Sequence, residues 1–218
     1  KRRRYPRRLC FERDIPMVKV YAIDGVIPAV DPSAFVHPSA VLIGDVVIGP
    51  DCYVGPCASI RADFGRFVMG KGSNFQDNCT AHCFSGGDVI IGEHCNVGHG
   101  AVLHGSVLHD RVLVGMNAVV MDGAEIHDHA LVAALAFVPA AMEIPANVIA
   151  AGAPAKVLRD LTDQEKKWMK DGNRDYLNLA VRCQESLEET EALTALDGEE
   201  PRLKIEGSKP LYQTREGG

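Results

Sequence analysis

The chain has 218 residues, of which 46% are hydrophobic and 24% charged, and its formal net charge is −6. This length and balance predict one globular domain with a sizeable core and exclude a disordered or collagen-like chain. The negative charge argues against a general nucleic-acid binder, and no apolar run approaches the roughly 18–20 residues of a membrane helix.

Residues 1–16 carry seven Lys and Arg side chains against two acidic ones. A basic segment of this kind can be an arm that binds nucleic acid or lipid. The alternative, which we prefer, is an unordered leader, because Met17 is a candidate for the natural start of translation. No apolar stretch typical of a secretory signal follows the arginines, so we expect a cytoplasmic protein.

The cysteines are odd in number and include no CxxC pair. They are Cys10, Cys52, Cys57, Cys79, Cys83, Cys95 and Cys183. This pattern predicts reduced thiols that fill small volumes, without a disulfide framework.

An apolar residue recurs every six positions, with two interruptions and one slip of a residue. The series is Val30, Val36, Leu42, Ile48, Val54, Ile60, Met69, Phe75, Ala81, Ile91, Val97, Leu103, Leu108, Val114, Val120, Ile126, Val132 and Val138. A period of six is a multiple of two and not of 3.6, so it indicates short strands whose positions i and i−2 share a face. Position i−2 is usually Ala, Cys or Ser, which suits a narrow prism. Three strands complete a coil of about 18 residues, and stacked coils form a solenoid. We therefore predict an all-β solenoid of hexapeptide repeats over residues 17–157, with its period ending after Val138.

The segment after the repeats has its own signals. Gly152–Lys156 is predicted to be the closing turn of the solenoid. Thr162 and Glu165 match a capping box, and apolar residues at helical spacing follow them, which predicts an amphipathic C-terminal helix within residues 158–196. Residues 197–218 are charged, Gly-rich and aperiodic, which is typical of a mobile tail.

The two interruptions bring particular residues together. They add three residues after Ile60 and four after Ala81 to the period of six. If the extra residues bulge from corners as loops, Arg61, His82 and His104 form one column, with neighbours about 4.8 Å apart.

The same arithmetic places Asp77 and His99 in a second column on another edge, with Gln76 beside Asp77. Three imidazoles without a fourth protein ligand are typical of a catalytic zinc site, and neutral His also suits Fe or Co. Because His99 lies on a different edge, it can join His82 and His104 only between copies packed around a threefold axis. The remaining histidines are predicted to be surface residues, namely His37, His94, His109, His127 and His129.

The segments Ser59–Asp63 and Asn74–Asn78, followed by the three histidines, resemble the γ-class carbonic anhydrases over residues 17 to about 160. The resemblance implies a left-handed parallel β-helix that forms a homotrimer with one Zn (or Fe or Co) per subunit interface. His82 and His104 would come from one chain and His99 from the next. It also implies four catalytic residues: Gln76 would orient the metal-bound water, and Arg61, Asp63 and Asp77 would form ion pairs across the interface.

A narrower resemblance extends through the C-terminal helix. Ala34–Val46, Asp63–Arg66, Gly115–Ala124 and Tyr176–Cys183 are similar to a subgroup of bacterial accessory proteins. That subgroup includes the hexapeptide-repeat thioesterase encoded with phenylacetate catabolism and a carnitine-operon protein. The chain also departs from the anhydrase pattern, since Phe64 stands where the prototypes place Glu. Their long acidic proton-shuttle loop is reduced here to Cys83–Asp88, which should slow CO2 hydration.

A metal held by three imidazoles supplies hydroxide near neutral pH, which can attack CO2 or the carbonyl carbon of an acyl-CoA thioester. The resemblance, with Phe64 and Phe84 expected near the mouth of the site, favours a metal-dependent thioesterase for aryl-acetyl-CoA esters in phenylacetate catabolism. A carbonic anhydrase acting on CO2 and bicarbonate is the alternative. A hexapeptide acyltransferase with a His general base and a non-catalytic assembly subunit are the remaining hypotheses. No nucleic acid or membrane partner is expected.

Overall fold

The computed structural model describes residues 18–194, 202–205 and 207–214. The predicted leader at residues 1–16 lies outside the described residues, as do parts of the predicted tail. The strands are β1 (Lys19–Tyr21), β2 (Ala29–Val30), β3 (Phe35–Val36), β4 (Val41–Ile48), β5 (Tyr53–Val54), β6 (Ser59–Met69), β7 (Asn74–Phe75), β8 (Thr80–His82), β9 (Val89–Ile91), β10 (Asn96–Val97), β11 (Val102–His104), β12 (Val107–Leu108), β13 (Leu113–Val114), β14 (Val119–Val120), β15 (Glu125–Ile126), β16 (Leu131–Val132), β17 (Phe137–Val138), β18 (Glu143–Ile144), β19 (Val148–Ala151) and β20 (Lys156–Asp160). The helices are α1 (Asp163–Ser186) and α2 (Leu211–Thr214). Neither of these helices is long and apolar enough to cross a membrane.

The strands wind into about seven turns of a left-handed β-helix, which confirms the predicted fold class. The strands before β20 pair in parallel with strands of the neighbouring coils, as Leu113 does with Leu131 and Val119 with Phe137. The hand is opposite to the usual right-handed crossover between parallel strands. The tight corners carry residues at positive φ, among them Asn78, His94, Asn117 and His129. Asn and His tolerate this backbone conformation better than most residues.

The predicted apolar series forms the core of the solenoid. From Leu42 to Val138 every member of the series is at most 2% exposed. Only the two members on the first coil are more exposed: Val30 is 36% exposed and Val36 is partly buried. The prediction that the period ends after Val138 was wrong, because Ile144 and Ala150 continue it and are fully buried. Two positions before Ile144 stands Met142 instead of a small residue, and at Ala150 the order is reversed, with the larger Val148 two positions earlier, so neither position matches the earlier pattern.

Buried thiols fill the small positions of the prism. Cys52, Cys79 and Cys95 are buried and free of disulfides. Burial raises the pKa of the Cys52 thiol to about 11 and that of Cys79 and Cys95 to about 12. These side chains are therefore protonated and pack as small hydrophobic groups.

The two interruptions lie one above the other at a single corner. The first interruption bulges at the corner, as expected, because four residues, Asp63–Arg66, stand opposite Asp45 alone, and the bulge lies within the extended strand β6. The second insertion, Cys83–Asp88, stacks directly on this strand: the backbone N–H of Arg66 donates to Asp88 Oδ1 at 2.8 Å. The backbones approach so closely at Gly65 that a Cβ there would overlap the Gly87 carbonyl oxygen.

A reversal of the chain closes the solenoid. Gly152–Lys156 makes the predicted turn, and β20 then returns antiparallel along β19. The turn also covers the neighbouring edge, since Phe137 N–H donates to Gly152 O at 2.9 Å and Ala155 N–H donates to Phe137 O at 2.7 Å.

Helix α1 begins at the predicted capping box, in which Thr162 and Glu165 exchange hydrogen bonds. Arg159 donates two hydrogen bonds of 2.8 Å to the Glu165 carboxylate, and these bonds lower the pKa of Glu165 to about 2. The helix packs along the solenoid, where Tyr176, Leu179, Ala180 and Cys183 contact Phe35 and Tyr53.

Candidate metal centre

Two histidines face each other on successive coils, as the column arithmetic predicts. In the pairing of β8 with β11, His82 stands opposite His104. His82 Nδ1 lies 3.3 Å from His104 Nε2. Both side chains are mostly buried, with exposed fractions of 15% and 20%. Ile60 pairs with Ala81, which places Arg61 at the foot of the same column.

A carboxylate holds the far side of each ring. Asp63 Oδ1 lies 3.1 Å from His82 Nε2, and Asp122 Oδ1 lies 2.7 Å from His104 Nδ1. An ionised carboxylate only accepts, so each of these ring nitrogens carries the proton that it donates. In neutral rings the two nitrogens that face each other then both carry lone pairs, and at 3.3 Å they are spaced as two ligands of one metal ion are. The donor set therefore fits a metal ion.

His99 stands on the second column, next to Asp77. Its Nδ1 lies 2.6 Å from Asp77 Oδ2, its side chain is 42% exposed, and its Nε2 lies 3.3 Å from the Tyr176 hydroxyl. The same ring–carboxylate arrangement thus occurs three times, and histidines that bind metals almost always have such a partner. The single chain brings His82 and His104 together and leaves His99 on a different edge. The meeting of all three across a trimer interface stays a prediction.

The four predicted catalytic residues surround these histidines. Gln76 is buried, and its side chain accepts from the His99 backbone N–H at 3.2 Å and donates to Asn74 Oδ1 at 2.9 Å. In the single chain Gln76 therefore positions His99, and its predicted contact with water stays untested. Arg61 donates to both oxygens of Asp63, at 3.0 and 2.8 Å.

The carboxylates Asp63 and Asp77 both pair within the chain. Asp77 binds His99, and Asp63 is shared between Arg61 and His82. Partial burial works to raise the pKa of Asp63, but the hydrogen bonds from Arg61 and His82 outweigh it and lower the pKa. Asp63 therefore remains an anion beside His82. The predicted ion pairs across a subunit interface stay predictions.

Apolar groups flank the site on both sides. The stacked insertions present Phe64 and Phe84, whose ring centroids lie 5.4 Å from His82 and 4.9 Å from His104. On the other column, a cavity of about 480 Å³ borders His99 and is lined by apolar residues that include Trp168 and Met169 of α1.

The sequence analysis did not identify two residues that form hydrogen bonds with the histidines. Asp122 follows His104 by 18 residues, so the same coil arithmetic could have found it. Tyr176 reaches His99 from α1, and the spacing of the repeats carries no signal of where a helix docks. The structure also groups His109, Glu125 and His127, with possible ligand atoms within 4.8 Å of one another.

The fold and these residues define a hexapeptide-repeat protein of the left-handed β-helix class with a histidine-rich candidate site. The chain belongs to the family of the carnitine operon protein CaiE. It is 50% identical over 184 residues to CaiE of Salmonella newport and of Salmonella agona, which covers 84% of this chain and 93% of each relative. This relationship confirms the predicted carnitine-operon subgroup.

Solved structures support the same class. A hexapeptide transferase family protein from Anaplasma phagocytophilum is 32% identical, with a TM-score of 0.72 over 75% of this chain and 96% of its own. A putative acetyltransferase from Bacillus cereus is 32% identical, with a TM-score of 0.73 over 75% of this chain and 95% of its own. A search of protein-family models found no match to this chain.

Proposed function

We propose that this protein is a metal-dependent acyl-CoA thioesterase that acts on aryl-acetyl-CoA esters, as an accessory to phenylacetate catabolism. It works as a homotrimer with one Zn (or Fe or Co) at each subunit interface. The observation that carries the proposal is the threefold arrangement of a histidine held by a carboxylate, in which His82 Nδ1 and His104 Nε2 face each other at 3.3 Å.

His82 would hold the ion through Nδ1, and His104 and the neighbour's copy of His99 would hold it through Nε2. A divalent ion at such a site supplies Lewis acidity that activates water toward a carbonyl carbon. The chain's own residues fix the geometry beforehand. Asp63, Asp77 and Asp122 set the tautomer and direction of each ring, and Gln76 anchors the backbone of His99.

The surroundings favour a thioester over CO2. Phe64 and Phe84 lie against the histidine pair and, being largely exposed themselves, offer aromatic surfaces to an aryl group. The acidic residue of the second insertion, Asp88, accepts a hydrogen bond from the backbone N–H of Arg66 and so has a structural role. On the far side of α1 a groove of about 650 Å³ is lined by cationic residues, among them Arg111, Lys166 and Lys170, which suit the phosphates of coenzyme A. The similarity to a putative acetyltransferase agrees with a coenzyme A ester as substrate.

The first test measures metal content per chain, hydrolysis of phenylacetyl-CoA and hydration of CO2 on one purified sample. We expect about one interface ion per chain and thioester cleavage that is lost on chelation and restored by zinc or iron. Fast CO2 hydration without thioester cleavage would instead support a carbonic anhydrase, because a metal held by the same three histidines also suits that reaction. Transfer of the acyl group to an acceptor without any metal would support an acyltransferase.

Subunit complementation tests the division of ligands between chains. His99→Ala and His104→Ala should each abolish activity. When the two inactive proteins are unfolded and refolded together, about a quarter of the interfaces combine an intact His82–His104 pair with an intact His99, as random assortment in a cyclic trimer requires. About a quarter of the wild-type activity should therefore return. No recovery in trimers shown to be mixed would contradict a site built between chains.

The aromatic mouth predicts a substrate preference. Replacing Phe64 and Phe84 by Ala should raise the KM for phenylacetyl-CoA about tenfold, since burying an aromatic group contributes 1.5 kcal/mol or more, and should change the KM for acetyl-CoA little. Val181→Ala, an exposed apolar position on α1, is the matched control. Equal changes for both substrates would show that the two rings do not select the acyl group.

A further inference from the structure

The structure carries a second cluster of possible metal ligands, made of His109, Glu125 and His127. His109 follows β12 and His127 follows β15, and these strands pair with Leu108 opposite Ile126. The two histidines therefore occupy equivalent places on successive coils, and Glu125 lies on the same outward face. The cluster is separate from His82, His99 and His104 and lies wholly within one chain.

Its geometry is that of an open site. The imidazole rings stack with centroids 4.7 Å apart and planes 20° from parallel. Glu125 Oε2 lies 3.7 Å from His109 Nε2, which is too far for a hydrogen bond. One possible ligand atom from each residue falls within 4.8 Å of the others. Tetrahedral ligands about 2.1 Å from zinc lie about 3.4 Å apart, so the three donors are near the required spacing, and the two stacked rings must turn out of parallel to converge on one ion.

An unsatisfied polar atom points to a ligand here. His109 Nε2 is buried and has no hydrogen-bond partner. Buried polar nitrogens in native proteins nearly always have a partner, and one without a partner requires an explanation such as an ion or a water. The nitrogen faces the Glu125 carboxylate across a gap that a cation would fill.

The surroundings supply room and negative charge. A cavity of about 370 Å³ opens beside the rings and is bordered by His127, Asp128 and Glu143. Glu143 stands one coil beyond Glu125, in register with it. Two imidazoles and a carboxylate are a ligand set of zinc sites that keep a position open for water.

We propose that His109, Glu125 and His127 bind one divalent ion of the zinc class per chain and join two successive coils through it. The site needs no second subunit and does not depend on the function proposed above. All three of its ligands belong to one chain, whereas the interface site is complete only between chains.

The test uses the full chain with His99→Ala and His104→Ala, so that the interface site keeps one histidine only. Zinc is titrated in competition with a chromophoric chelator, and Co2+ serves as a second probe through its visible absorption. We expect about one ion per chain in this background and none after a further His127→Ala or His109→Ala. Glu125→Gln should weaken binding about tenfold or more, because an amide oxygen is a poorer ligand than a carboxylate.

His129→Asn is the matched control. His129 lies on the same coil with a φ of 59°, a conformation that Asn also adopts readily, so this change should leave zinc binding as it is in the background. Zinc should also raise the Tm of the background protein and not that of the His127→Ala variant. The proposal fails if the background binds no zinc or if His127→Ala and Glu125→Gln leave both stoichiometry and affinity unchanged. Failure at this site would leave the complementation test of the interface site unaffected.

Discussion

The carboxylate of Asp122 should control how tightly the interface site binds its ion. It accepts from His104 Nδ1 at 2.7 Å and is 29% exposed. Asp122→Asn keeps the shape of this side chain and an oxygen that can accept the same proton, and removes only the charge. The substitution therefore separates the electrostatic contribution of Asp122 from the positioning of the ring.

The size of the effect follows from the distances. Adding the width of the ring and a usual Zn–N distance of about 2.1 Å places an ion about 6–7 Å from the carboxylate. A charge of −1 at that distance from a charge of +2 contributes about 1.3 kcal/mol at a dielectric constant of about 80, and about 2.6 kcal/mol at about 40. Asp122→Asn should thus weaken zinc binding about 10- to 100-fold, which is the range found for other partners of ligand histidines.

The assay is competition for zinc against a chelator of known affinity at fixed pH and ionic strength. Both proteins carry His127→Ala, so that the second cluster does not contribute. Asp45→Asn is the control, because Asp45 pairs with Arg66 at 2.9 Å on the same side of the solenoid and contacts no histidine. An affinity within twofold of the parent for Asp122→Asn, or an equal loss for Asp45→Asn, would refute the reasoning.

Three further predictions concern stability. Gly172→Ala should raise the free energy of unfolding by about 0.5–1 kcal/mol, because Gly172 is in α1 with open space where a Cβ would stand; a lower Tm would contradict this. The pKa of Glu165 is about 2 when folded and near 4.5 when unfolded, so its bond to Arg159 stabilises the protein above pH 4.5 and is lost as the pH falls toward 2. Glu165→Gln should remove about 2 kcal/mol of this pH-dependent stability, a value reduced for solvent screening because Arg159 is half-exposed. Acid unfolding curves that coincide for the wild-type protein and the variant would refute this prediction. Gly65→Ala should destabilise the fold by about 1–3 kcal/mol or more, because its Cβ would overlap the backbone of the second insertion. Gly86→Ala, in open space at a φ of 84°, should cost only about 1 kcal/mol. Urea unfolding curves that show Gly86→Ala to be the less stable variant would contradict this prediction.

The sequence predicts those parts of the site that depend on the spacing of one coil, about 18 residues plus any insertion. His82 stands opposite His104 because a residue returns to the same edge after one coil, whatever its side chain. The same interval contains the information for Asp122. The contact of Tyr176 with His99 is different in kind, because it depends on how α1 packs against Phe35 and Tyr53.

The errors of the sequence analysis also have physical causes. The end of the repeat was missed because Met142 replaces the usual small residue before Ile144 and because the order of large and small residues is reversed at Val148 and Ala150, although both coil positions are fully buried. The first insertion bulges as expected, but its backbone stays extended within β6. The second insertion stacks on it at Gly65 and Arg66, an interaction between residues of different coils that the local sequence does not indicate.

The antiparallel return of β20 along β19 determines the length of the molecule. Each coil offers the next one an identical template of backbone donors and acceptors, so the repeat contains nothing that limits the number of coils. A parallel solenoid with an open last coil could grow by adding a second molecule end to end, as a fibre does. The reversal at Gly152 occupies the edges of β19 and β17, two of the three strands of the last coil, and so opposes that growth. A whole coil of 18 residues could therefore be gained or lost during evolution without disturbing the histidine columns, provided that the turn at Gly152 and β20 still followed the last coil.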